Sequence, residues 1–173
     1  METVVSSVIK LMKNDMGLDP VLVLAEEPKA QVPDCQLIVL GVDQVHGLPL
    51  KGHPINIIRF LSRRFRYVQE LKRQLKPKKG DIIVTPDLEM AGILKGLFSS
   101  VPVVTWNHGL LSAGWSKSGL WPFVKSGFKR CDAIIVLNEQ MFEEITRLYP
   151  KATGKTFVIH NPVDVKATAG VFN

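Results

Sequence analysis

Only two cysteines, Cys35 and Cys131, occur in the chain, in apolar surroundings and without a CxxC spacing. That scarcity argues against a disulfide framework or a thiolate zinc site, and both side chains read as small core residues. Long hydrophobic runs are also missing. None reaches the roughly 18 to 20 residues of a membrane span, and no basic region leads into an apolar signal core at the N-terminus. A reducing cytoplasm is the expected compartment. Acid is scarce beside base, with 16 Asp and Glu against 22 Lys and Arg and a formal net charge of +6. The surplus suits an anionic substrate, an anionic membrane surface or nucleic acid, and its sign does not choose among them. No nucleic-acid motif or interleaved aromatic pattern accompanies it, so nucleic acid is not an expected partner. Internal repeats and low-complexity segments are absent, as is any cluster with metal-ligand spacing.

The 173 residues make one ordinary domain, large enough to bury a continuous core. The pattern predicts a helix from Glu2 to Met16, stopped by Gly17, and then strands at Val21 to Ala25 and Gln36 to Gly41. The longest helical pattern runs from Pro54 to Lys76, with Ile57, Leu61, Phe65, Val68, Leu71 and Leu75 along one face. Further strands are expected at Asp81 to Thr85, Pro102 to Trp106, Ala133 to Leu137 and Thr156 to His160. Helices alternate with them at Asp87 to Phe98, Ser118 to Arg130 and Glu139 to Leu148. Short apolar strands alternating with helices indicate an α/β fold: a single domain built on a Rossmann-like, doubly wound, mostly parallel sheet in three layers.

One stretch concentrates polar chemistry, Pro102 to Gly114 (PVVTWNHGLLSAG). Its first part reads as a strand buried on both faces, and Asn107, His108 and Gly109 follow where that strand ends. In an open α/β sheet the carboxyl ends of the strands face the ligand crevice. An imidazole there donates from one nitrogen and accepts at the other, which suits holding a hydroxyl near a reacting carbon. The bland reading is a loop histidine bonded to a neighbouring carbonyl.

METVV at the start, DIIVTPDLEMAGIL, PVVTWNHG, CDAIIVLNEQM and FVIHNPVD, in that order and spacing, resemble the N-terminal half of family 4 glycosyltransferases, two-domain enzymes of the GT-B architecture. The resemblance covers residues 1–164 as the N-terminal domain and leaves 165–173 as a tail toward a second domain. It implies a transferase that moves a hexosyl group from a nucleotide-sugar, the donor being a substrate and no cofactor or metal being required, to a saccharide or lipid-linked acceptor. Such enzymes begin with another strand and a glycine pair, and continue through a donor-binding domain with paired glutamates. The expectation is therefore an acceptor-binding half, a fragment or a degenerate product, inactive alone. A non-catalytic module that binds an anionic glycan, a lipid phosphate or a partner protein is the alternative. In the family's strand order the absent strand lies between those matching Val21 to Ala25 and Asp81 to Thr85. Their unpaired edges should either pair directly or be filled by another chain, for example in a homodimer.

By the resemblance His108 matches the cleft histidine that bonds the donor sugar, and it is the expected catalytic residue. Asn107 and Gly109 flank it as substrate-binding candidates. Asp87 ends a strand beside the crevice and is read both as an acceptor ligand and as a helix cap. Asn138 stands where the family has serine, with capping and substrate contact both open, and Glu139 follows it. His160 to Asp164 (HNPVD) resembles the interdomain crossing, with Asn161 as a substrate-binding candidate and Pro162 in place of the usual glycine. Arg59, Arg63, Arg64, Arg66, Lys72 and Arg73 crowd the long helix. They read as a solvated face, or as a patch for an anionic membrane or acceptor on the cytoplasmic side.

Overall fold

The computed structural model describes residues 2–24, 34–42, 54–86, 88–109 and 121–161. They fall into two compact units, the first carrying the opening helix, two strands and the long basic helix, and the second running from Leu75 to His160.

In the first unit, α1 (Glu2–Asn14) is followed by β1 (Val21–Leu24) and β2 (Gln36–Val39), then by α2 (Pro54–Gln74). Gly17 adopts φ 62° after α1, the left-handed turn that glycine enters without steric cost. β1 and β2 are parallel, with Val21 opposite Gln36 and Leu24 opposite Val39. Lys13, in the last turn of α1, pairs with Asp34 just ahead of β2.

The second unit contains β3 (Ile83–Thr85), α3 (Leu88–Leu97), β4 (Val103–Asn107), α4 (Trp121–Arg130), β5 (Ala133–Val136), α5 (Glu139–Leu148), a 3-10 helix (Pro150–Lys155) and β6 (Thr156–Val158). Its sheet has the order β3-β4-β5-β6, all parallel. Each strand neighbours the one before it, so right-handed crossovers bring the connecting helices to one face. Accordingly α3 packs on β3 and β4, α4 on α3, and α5 on β5 and β6. The core lies between these layers: Ala91, Val103, Phe128, Ile134, Val136 and Ile145 are all fully buried.

Lysine and aspartate tie the starts of the strands together. Asp132, just before β5, accepts from the Val103 N–H at 2.8 Å and from Lys95 Nζ at 2.9 Å. Lys155, just before β6, donates to the Cys131 carbonyl at 2.6 Å beyond the end of α4.

The chain thus has the Rossmann-like α/β class that the alternation of its elements predicts, with three departures in detail. First, the strands form a two-stranded and a four-stranded sheet. Among the described residues β1 pairs with β2, and β3 with β4. Second, β4 is not buried on both faces: Val103, Thr105 and Asn107 are buried while Val104 and Trp106 between them are half-buried. Third, the apolar stripe of α2 is out of phase with the expected one. Leu71 is buried and Val68 half-buried, but Phe65 is 62% exposed and Arg64 is buried in its place. Six residues put Phe65 about 120° around the helix from Leu71, whereas seven bring Arg64 to within about 20° of it.

Candidate functional site

Four parallel strands bring four carboxyl ends to one rim of the second unit, the edge at which open α/β sheets bind ligands. Thr85 closes β3 and Asn107 closes β4, with His108 one residue beyond. Asn107 lies opposite Val136, and Val136 opposite Val158. His108, Leu137 and Ile159 therefore come level at the rim, with Asn138 and His160 next.

His108 is half-buried and leans on Trp106, with 4.8 Å between ring centroids and 43° between planes. Residues 106 and 108 share a side because successive strand residues alternate. Burial holds the His108 imidazole below the ordinary histidine value, which keeps it neutral near pH 7. Asn107, on the opposite and buried side, is 9% exposed, and its Nδ2 donates to the Gly109 carbonyl at 2.9 Å. Gly109 has a non-positive φ and open space where a side chain would go, so neither crowding nor backbone strain calls for glycine there.

Asn138 caps α5 in extended geometry, its Oδ1 accepting from the Met141 N–H at 2.9 Å. Of the two readings the residues allow, this geometry is that of a cap. Glu139, the first residue of the helix, is exposed at its positive end. His160 receives no separate role from its spacing, yet it sits at the same rim. Its Nδ1 lies 2.7 Å from the Leu137 carbonyl, which only accepts, so Nδ1 is the donor. The one signal for it in the sequence was a histidine ending the expected last strand, Thr156 to His160; the observed strand stops two residues earlier.

Asp87 lies outside the described residues, as do Pro162 to Asp164 of the crossing segment. Asn161 belongs to the first unit, where its Oδ1 is buried without a hydrogen-bond partner among the described residues. The basic residues of α2 belong to that unit too. Arg63, Arg66, Lys72 and Arg73 are exposed, and Arg73 pairs with Glu70 at 2.7 Å. Arg64 is 9% exposed, so it is not part of an outward basic patch, contrary to expectation: it stands on the inner side of the helix with Leu71. The side chain of Arg59 lies outside the described residues.

Among the described residues no three His, Cys, Asp or Glu side chains come together to hold a metal ion, and no helix is long and apolar enough to cross a membrane. Cys35 and Cys131 are both free thiols; Cys131 is buried, while Cys35 is only half-buried and not the core residue expected. What the rim offers is hydrogen bonding, from an imidazole in a partly dry setting and from a second ring anchored to a backbone carbonyl.

Comparison with known proteins bears on what such a rim serves. None of the curated proteins matches the chain. The family model described as Glycosyltransferase Family 4 matches residues 1–167, nearly the whole length. An α/β fold of parallel strands, a histidine at the carboxyl rim and a match of that extent lead to one statement: this chain belongs to glycosyltransferase family 4.

Proposed function

We propose that this chain is the acceptor-binding half of a nucleotide-sugar-dependent glycosyltransferase that transfers a hexosyl group to a saccharide or lipid-linked acceptor, with His108 the residue that meets the reacting sugar. The observation that carries this reading is the placement of His108: one residue past the end of β4, half-buried, and kept neutral by burial. A neutral imidazole donates to one sugar oxygen and accepts from another hydroxyl, and partial exclusion of water strengthens both bonds. No step of this reading draws on a metal or cofactor, the nucleotide-sugar being a substrate.

Binding of saccharides and nucleotide-sugars from a panel, measured by calorimetry or ligand-observed NMR, tests the assignment. A ligand that binds the wild-type chain should lose about tenfold in affinity with His108→Ala, equivalent to one good hydrogen bond at roughly 1.4 kcal/mol. Equal affinity in a folded His108→Ala variant would overturn the role of the ring.

A second contact concerns the partner that carries the acceptor. Phe65 is 62% exposed on α2, with the exposed Lys72 about 20° and the exposed Arg66 about 100° from it around the helix. An aromatic set among bases is the composition of a surface that rests on anionic lipid, at about 1 kcal/mol per basic residue. We therefore read this face as a peripheral contact with the cytoplasmic leaflet. Co-sedimentation with anionic vesicles should fall with added salt and with Phe65→Ser; binding indifferent to lipid charge ends that reading.

A further inference from the structure

We infer that Asn107 is a positioning residue for His108: its carboxamide pinches the chain across the histidine, and the Trp106 indole backs the ring from the other side. The inference rests on the reading of His108 as the functional group and assigns Asn107 a part other than substrate contact.

Three observations carry it. The bond from Asn107 Nδ2 to the Gly109 carbonyl, 2.9 Å long, closes a ring that runs through the whole backbone of His108 and Gly109. Both backbone dihedrals of His108 are inside that ring, so the bond narrows the range they can take. Asn107 as a whole is 9% exposed, and a part-buried bond of this kind loses less to competing water than an exposed one. Gly109 itself is exposed, with nothing within 4 Å of where its Cβ would stand. The Asn107 bond is then the contact that holds its carbonyl among the described residues.

Alternation supplies the rest. Asn107 points to the helix-covered side, whereas Trp106 and His108 share the other side and meet at 4.8 Å. The backbone is set by one neighbour and the ring by the other. A group held before its ligand arrives loses less freedom on binding, which is the general advantage of a preorganised site. One carboxamide N–H is committed to the Gly109 carbonyl, on the side of the strand away from the His108 ring.

Long-range proton–nitrogen NMR of the four histidines tests the inference on the chain as it is, with His108→Ala identifying the His108 signals. The wild-type ring should show one dominant tautomer and titrate below the ordinary value of about 6.5. Asn107→Leu keeps the volume and removes the donor. It should mix the His108 tautomers and move the titration toward that ordinary value, while the His160 signals stay in place as a control for general loosening. Unchanged His108 signals in the folded Asn107→Leu variant would overturn the inference. Should that variant not fold, exchange of the Asn107 side-chain amide in the wild type decides: slow exchange supports the pinch, and exchange at the rate of an exposed amide refutes it. The two readings fail separately. If His108→Ala leaves saccharide binding intact, the functional role falls whatever the NMR shows; if it weakens binding but Asn107→Leu leaves the ring undisturbed, only the positioning role falls.

Discussion

Gly127 of α4 lies so close to Leu88, the first residue of α3, that a Cβ on the glycine would stand 1.8 Å from the Leu88 carbonyl oxygen. Nearby, a Cβ on Gly92 would approach the Gly127 nitrogen to 3.1 Å. The two helices therefore meet backbone to backbone, and the contact falls in the turn of α3 that follows Thr85 at the rim. Small residues here do more than relieve crowding: they set where α3 begins relative to the end of β3.

Gly127→Ala is expected to destabilise the protein by roughly 1 to 3 kcal/mol, the range of an overpacked contact, although alanine is the better helix former by about 1 kcal/mol. Gly92→Ala should cost less, since its neighbour needs to give only slightly. Urea denaturation of the two variants gives the order directly. A Gly127→Ala protein as stable as the wild type would mean that the helices do not touch at this point.

Thr105 is 0% exposed in the middle of β4, and its hydroxyl has no hydrogen-bond partner among the described residues. Valine has the same shape without the polar atom. Thr105→Val should leave stability unchanged or raise it by about 1 kcal/mol, because an unsatisfied buried hydroxyl is removed without opening a cavity. A loss of stability in the melting curve would show that the hydroxyl has a partner.

Asn138→Ala removes the side chain that satisfies the Met141 N–H, and about 1 kcal/mol of stability should go with it. Asn138→Asp, which keeps the acceptor, should retain most of the cap. Amide exchange at the start of α5 reads the effect locally. If both variants leave exchange there unchanged, the cap is not what holds the helix end.

Burial by itself would raise the Asp132 carboxyl, but the Val103 N–H and Lys95 more than offset it, and the group lies below the ordinary carboxylate value. Its contribution to stability is complete above the unfolded value of about 3.9 and is lost as pH falls through the lower native value. The wild type should therefore exceed Asp132→Asn in stability at neutral pH, by a margin that shrinks in acid. A margin constant from neutral to acid pH would rule out the carboxylate as its source.

How far the sequence could be read depended on how local each cause was. The Asn138 cap was legible because cap and donor are three residues apart, and the strand at Pro102 to Trp106 because its apolar run is bounded by a proline and by polar residues. His108 could be placed at a carboxyl rim from its position after that run alone. The inner position of Arg64 was not legible, since a charged residue among apolar ones reads as solvent-facing until the phase of the whole helix is known. The 3-10 turn at Pro150–Lys155 lies in a proline- and glycine-punctuated stretch without periodicity, which reads as a connection. The separation into two sheets follows from pairing between distant segments, and no residue carries that choice by itself.

Lys95, Asp132 and Lys155 fasten the second unit where its strands begin, while His108 and His160 stand where they finish. Scaffold and chemistry occupy opposite ends of the same short ladder. On the function proposed above, residues at the finishing end can be exchanged while the fastenings are left alone, so loop grafting at this rim would alter ligand choice without touching the supports of the fold.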